Sequence, residues 1–281
     1  MKKGIRGHDI EAQGLENICA SAEEHNIKYL QLILEKSIAG FKMGDFTEEY
    51  ASSLKNQLNE TKIAVLGSYI NPSNPDEEEL NSDIEKFIEK IKYASMLNPI
   101  VVGTETGIYK KGMTNSEEAY QRVLSTIRDL LIEAEKFGVN IGIEGVHCFV
   151  INTPQKMKKL IDDLNSDNVK VIFDPVNCLN IDNYKDQDKM INDMFSLLSD
   201  KICVLHAKDF IVENGELKPA LPAEGILNYR LIFEKMKEYN LDIPIICEEI
   251  NEDEASIAFD NLEKIWRKLQ WKSEMHQTQE M

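Results

Sequence analysis

Four apolar runs in the second half of the chain each stop on a side chain that can bind a cation or carry a proton. The run 140-NIGIEGVH stops on Glu144, 169-VKVIFDPVN on Asp174, 201-KICVLHAKDF on His206 and 243-IPIICEEI on Glu248. A lone acid at a strand end commonly caps the next helix or pairs with an arginine. Four ligand-type residues in succession ask for one common partner. Three carboxylates crowded into a partly desolvated mouth repel one another, and a divalent cation is the simplest means of keeping all three ionised. Oxygen donors with a single imidazole favour Mn2+, with Mg2+, Co2+ or Zn2+ also compatible. Asp174 is followed at i+3 by Asn177. That amide donates and accepts hydrogen bonds without titrating, so it reads as a partner for a substrate hydroxyl or for Asp174 itself.

Such residues act together only if the elements carrying them end side by side. Strand-like runs near Gly4–His8, Lys28–Leu34, Ile63–Tyr69, Ile100–Thr104, Asn140–Glu144, Val169–Asp174, Ile202–His206 and Ile243–Glu248 alternate with helical stretches at 14–26, 47–60, 76–97, 115–138, 154–165, 185–200, 228–240 and 254–269. In the fourth helix Tyr120, Val123, Leu124, Ile127, Leu130, Leu131 and Ala134 keep the helical period, and Gly138 closes it. Eight βα units in 281 residues, 42% of them hydrophobic, predict a single α/β domain, a (β/α)8 TIM barrel, over an open doubly wound sheet. No GxGxxG or GxxxxGK[ST] phosphate loop follows any strand. In a barrel the C-terminal ends of the strands face one mouth, which brings the four residues together. No linker divides the chain, so 1–272 reads as the barrel domain and 273–281 as a polar tail.

The remaining strand ends offer groups for a substrate. Two-residue alternation places Arg6 and His8 on one face, with His8 pointing into the mouth. Gln31, Tyr69, Asn71 and Glu105 end the next three strands with polar groups suited to a substrate's hydroxyls. With His147, three residues past Glu144, and Lys208, two past His206, the expected substrate-binding set is His8, Glu105, His147, Asn177 and Lys208. Lys208 would put a positive charge beside a developing oxyanion. Arg6, Lys110, Lys111 and Lys208 are the cations a phosphate could use. The acidic run 76-DEEELNSDIEK reads as a solvated helix cap. Phe259 and Trp266 read as outer-helix packing or a contact between copies of the chain, which leaves room for a homo-oligomer.

The formal charge of −17 disfavours nucleic acid and anionic membrane, and points to a small-molecule partner. MKKGIRGHDI has no apolar stretch behind its lysines, and no run of about 18 apolar residues occurs, so neither export nor a membrane span is expected. The five cysteines are odd in number and form no CxxC pair, which suggests neither a zinc finger nor a disulfide framework. A reducing cytoplasm is the expected setting.

At these residues the chain resembles the xylose isomerase-like family of barrels, which includes sugar isomerases and epimerases, inosose dehydratase and the endonuclease IV type. The resemblance spans about residues 4–270 and is most specific at 141-IGIEGV, 171-VIFDPVN, 204-VLHAKD, 222-PAEGILNYRLIF and 245-IICEE. It implies that Glu144, Asp174, His206 and Glu248 bind one divalent metal. It also implies that Glu144 and Glu248 move protons on opposite sides of a bound sugar or sugar phosphate, through an enediolate, as in isomerisation or epimerisation. Ketose 3-epimerases of the family usually carry histidine where this sequence has Asn177. A lyase of the inosose dehydratase kind, expelling water from the same enolate, and a non-catalytic sugar-binding barrel are the alternatives. The endonuclease type needs many imidazoles, whereas this chain has five, with His25 in a helix and His276 in the tail.

Overall fold

The computed structural model describes residues 1–279, with side chains through residue 269. Its strands are β1 (Lys2–Arg6), β2 (Tyr29–Leu32), β3 (Lys62–Gly67), β4 (Val101–Thr104), β5 (Ile141–Glu144), β6 (Val169–Phe173), β7 (Ile202–Ala207), β8 (Asp209–Glu213), β9 (Glu216–Ala220) and β10 (Pro244–Cys247). The helices between them are α1 (Leu15–Glu24), α2 (Leu34–Ser37), α3 (Glu48–Gln57), α4 (Glu77–Leu97), α5 (Glu117–Lys136), α6 (Pro154–Leu164), α7 (Gln187–Leu198), α8 (Tyr229–Glu238) and α9 (Glu252–Gln279). β1 to β7 and β10 pair in parallel and close into a barrel in the order β1-β10-β7-β6-β5-β4-β3-β2. The expected (β/α)8 barrel is therefore present. The boundary expected at 273 falls inside α9, where side chains from 270 on, together with residues 280 and 281, lie outside the described residues.

The barrel interior is filled by Ala64, Val65, Val101, Ile172, Val204 and Ile246. Glycines face two of these. A Cβ on Gly4 would stand 2.2 Å from Ile246 Cδ1, and one on Gly103 would stand 2.5 Å from Val65 Cγ1, so these positions leave the room that the branched side chains occupy. Around the barrel, the apolar stripe of α5 is buried as its period requires. The acidic run after Pro75 behaves as a cap, with Asp76 Oδ1 accepting from the backbone N–H groups of Glu78 and Glu79. Phe259 is buried, and Trp266 packs edge-on against Phe233 at 5.3 Å. Both join α9 to the rest of the domain.

Three local features depart from expectation. β1 ends at Arg6, and His8 sits in a 3-10 turn, Gly7–Asp9, instead of on the strand. The second strand stops at Leu32 and gives way to the one-turn helix α2. After β7 the chain forms an antiparallel hairpin, β8 and β9, through Asn214 and Gly215, both at positive φ.

Candidate functional site

Each strand of the second half presents its polar residue where its backbone stops pairing. Glu144 is the last residue of β5, Asp174 and Glu248 follow β6 and β10 directly, and His206 is the last but one of β7. All four are buried: Glu144 2% exposed, Asp174 1%, His206 0% and Glu248 5%. His206 Nδ1 stands 3.5 Å from Glu144 Oε2, 3.7 Å from Asp174 Oδ2 and 3.5 Å from Glu248 Oε1. Yet both ring nitrogens of His206 have no hydrogen-bond partner among the described residues, and Asp174 Oδ2 faces only the Lys208 ammonium besides. Two donors each about 2.1 Å from one ion, at about 90–110° to each other, are about 3.0–3.4 Å apart. The observed 3.5–3.7 Å lie just beyond that range and beyond hydrogen-bond reach, so a small inward movement of the donors would let them share one divalent ion. Glu144, Asp174 and His206, whose donor atoms lie within 4.8 Å of one another, could hold a metal.

Burial opposes every charge here, and the neighbours decide which charges survive. Against burial, the Lys208 ammonium and His206 bring the Asp174 carboxyl down to about 2. Against the same penalty, His206 and Lys208 hold Glu248 below the ordinary carboxylate range. For Glu144 burial prevails and its pKa is raised. Burial works against the His206 imidazolium, but Glu248 and Glu144 raise it to about 10. That proton is one a metal would displace on binding.

The two glutamates are held differently. Glu248 Oε1 accepts from Gln31 Nε2 at 2.7 Å, and the same amide nitrogen donates to the Tyr69 hydroxyl at 2.9 Å. Lys208 Nζ lies 2.8 Å from Glu248 Oε2 and 3.1 Å from Asp174 Oδ2. Glu144 Oε1 accepts from Asn177 Nδ2 at 2.7 Å, while the Asn177 backbone N–H donates to Asp174 Oδ1 at 2.8 Å. Asn177 therefore fixes two carboxylates at once. Behind Lys208 the backbone is pinned as well. The Tyr229 hydroxyl donates to the Lys208 carbonyl at 2.6 Å, and buried Asp209 accepts four backbone N–H groups, from Phe210, Ala223, Gly225 and Leu227.

A cavity of about 360 Å³ opens over this cluster. Of the expected substrate-binding residues, His8, Glu105, Asn177 and Lys208 line it, as do Gln31 and Tyr69. Burial first, then the charge of Glu144, raises Glu105 to about 7. His147 is not brought to the cavity. It is exposed, its backbone N–H donates to the Asn177 carbonyl at 2.7 Å, and its ring Nδ1 is 3.3 Å from the same oxygen, so it braces two loops. Asn71 is also elsewhere, its amide bonded to Ser73 and to the Ile108 carbonyl. Lys110 lies 3.7 Å from Glu118, and neither it nor Lys111 lines the cavity. Sequence reasoning missed Ile33, Lys36 and Val146, which do. Lys36 carries no local signal, because 30-LQLILEKS reads as a strand running out.

Solved structures share this architecture over nearly the whole chain. A D-tagatose 3-epimerase-like protein superposes with a TM-score of 0.79 at 21% identity, covering 97% of this chain and 100% of that one. A protein described as IOLI, with a bound zinc atom, gives 0.77 at 18% identity over 95% and 99%. D-psicose 3-epimerase from Clostridium cellulolyticum H10, solved with D-tagatose, gives 0.74 at 16% identity over 95% and 99%. Among curated proteins no sequence matches. Residues 19–272 match the model of one family over almost the entire barrel, and the chain belongs to that family, the xylose isomerase-like TIM barrels.

Proposed function

We propose that this chain is a divalent-metal-dependent sugar isomerase or epimerase, which removes a proton from the carbon beside a carbonyl and returns one. The observation that carries the reading is the pair Glu144 and Glu248, each 3.5 Å from His206 Nδ1 and both on the floor of one polar cavity. Glu144, Asp174 and His206 would hold the ion with Glu248 as fourth donor, and this oxygen-rich set favours Mn2+. When bound, the ion supplies Lewis acidity that stabilises the negative charge left on the substrate oxygens as the carbon-bound proton departs.

The protein's own groups do the rest. One glutamate takes the proton and the other returns one on the opposite face. Asn177 holds Glu144 by a hydrogen bond but has no proton to exchange near neutral pH. Gln31 and Lys208 hold Glu248 from two sides. Lys208 stays protonated against the cost of burial because Asp174 and Glu248 face it, and it places positive charge beside the oxygens of a bound substrate. The epimerases among the structural relatives make ketoses the first substrates to try.

The test is incubation of the Mn2+-loaded protein with a panel of ketoses in D2O. Deuterium appearing at a carbon beside the carbonyl, with no loss of water, is the expected result. Loss of water would instead assign a lyase, and absence of exchange across the panel would overturn the enzymatic reading.

A further inference from the structure

We propose that Arg6, His8 and Lys36 form a second subsite of the same cavity, which binds an oxyanion, phosphate or carboxylate, at the end of the sugar remote from its carbonyl. This subsite rests on the isomerase reading only for the other end of the ligand.

The three residues come from two elements that the fold presses together. The turn Gly7–Asp9 packs on α2, where a Cβ on Gly7 would meet Leu32 Cδ1 at 3.2 Å and Ser37 Oγ at 3.3 Å. That contact sets His8 and Lys36 side by side on one wall, with Arg6 at the adjoining strand end. The nearest acids on this wall are already engaged. Arg6 Nε and Nη2 donate to Asp9 Oδ2 and Oδ1 at 2.6 and 2.9 Å, and Asp9 Oδ2 also accepts the Glu249 backbone N–H at 2.8 Å. Asp9 thereby fixes the guanidinium plane and leaves Nη1 without a partner among the described residues. Glu35, next to Lys36 in sequence, points away and pairs with Lys90 of α4, which is 1% exposed. Lys36 itself is exposed at the mouth, with no carboxylate in ion-pair range among the described residues. His8 Nδ1 is buried without a hydrogen-bond partner. Burial lowers the His8 pKa, with Arg6 and Lys36 adding to it against the opposing charge of Asp9.

Glu248 and Glu249 follow β10, the strand paired with β1, and so border Arg6, while Glu105, Glu144 and Lys208 complete the lining of the cavity. The carboxylates suit a cation and proton transfer, while Lys36, on α2 beside them, keeps an ammonium with no carboxylate partner among the described residues, in a chain of net charge −17. Neither Arg6 nor Lys36 has a task in moving a proton at carbon. A guanidinium held in plane beside an ammonium is an arrangement that recognises phosphate and carboxylate.

The test compares equilibrium binding of fructose, fructose 6-phosphate and the corresponding ketohexuronate to the Mn2+-loaded protein by calorimetry, with inorganic phosphate as a competing probe. At least one charged ligand is expected to bind about tenfold or more tightly than fructose, a difference of about 1.4 kcal/mol. The two charged arms identify phosphate or carboxylate. Lys36→Met, at an exposed site, should remove most of that preference and the competition by inorganic phosphate. Equal binding of all three sugars overturns the proposal. So does a charge preference that survives both Lys36→Met and Arg6→Gln, because the anion would then sit on the metal or on Lys208. Exchange in D2O without charge preference refutes the subsite alone, whereas Lys36-dependent phosphate binding without exchange refutes the isomerase reading alone.

Discussion

The two halves of the barrel mouth are built in different ways. On the half formed by β5, β6, β7 and β10, the four ligand-type side chains lie at or next to the last residues of their strands, and all four are buried. On the half formed by β1 to β4, Arg6 and Gln31 come from strands, but His8, Lys36, Tyr69 and Glu105 come from a 3-10 turn, a one-turn helix and loop starts, and the groups range from buried Gln31 to exposed Lys36. A strand end is held by two neighbouring strands, so its side chain is fixed to a fraction of an ångström, as metal ligation and proton transfer require. Turns and short helices tolerate adjustment, which suits recognition of a substrate's variable parts. Gln31 crosses between the halves, bonding Glu248 from a position 217 residues away in sequence, and Asp9 does the same by accepting the Glu249 backbone N–H.

The sharpest way to break this comparison is at the two glutamates. Glu144→Gln and Glu248→Gln should each lower kcat by about 10²-fold or more, because the amide keeps the shape and a donor oxygen but accepts no proton. If either variant turned over like the parent with metal still bound, that residue would carry no proton, and the buried half would be structural.

A second, smaller effect reports on the cation. The purified protein should carry about one divalent ion per chain, and Asp174→Ala should release it. In the parent, Mn2+ at one hundred times its Kd should stabilise the fold by about 2.7 kcal/mol, a gain the variant loses. Elemental analysis near zero for the parent, with melting unmoved by Mn2+, would remove the metal from the reading.

The smallest effect concerns Glu105, on the recognition half. Its carboxyl is raised from 4.5 to about 7 by burial and by Glu144. The folded chain then keeps a proton that the unfolded chain has lost, so this group costs stability as pH rises from about 4.5 to about 7. In metal-free protein, Glu105→Gln should remove that slope, worth about 1 kcal/mol after allowance for solvent screening of a partly exposed group. Urea titrations at pH 5 and pH 8 measure it. Equal stability differences between parent and variant at the two pH values would mean that Glu105 titrates normally.

Legibility in the sequence followed the same division between the halves. Glu144, Asp174, His206 and Glu248 could be found because an apolar run that stops on a polar residue is a local pattern, repeated four times at the same point of a βα unit. Lys208 could be placed beside His206 by two-residue alternation. His8 was set on a strand that in fact ends two residues earlier, because alternation says nothing of where pairing stops. The helix α2 was hidden because a single turn has no period to detect. The hairpin after β7 did carry a signal, Asn214-Gly215 between strand-forming residues, the usual mark of a tight β-turn. His147 shows the converse error, since closeness in sequence to Glu144 did not bring its ring into the cavity.

By itself the sequence determined the eightfold βα period, the single barrel and the rim on which the acids gather, because these depend on patterns that recur within about 30 residues. Only the tertiary structure decided which partners meet. Lys208 lies against Asp174 and Glu248, Asn177 joins Glu144 to Asp174, and α2 sets Lys36 beside His8. The physical reason is that barrel closure and strand register place residues from different βα units within hydrogen-bond reach. No spacing along the chain encodes those distances.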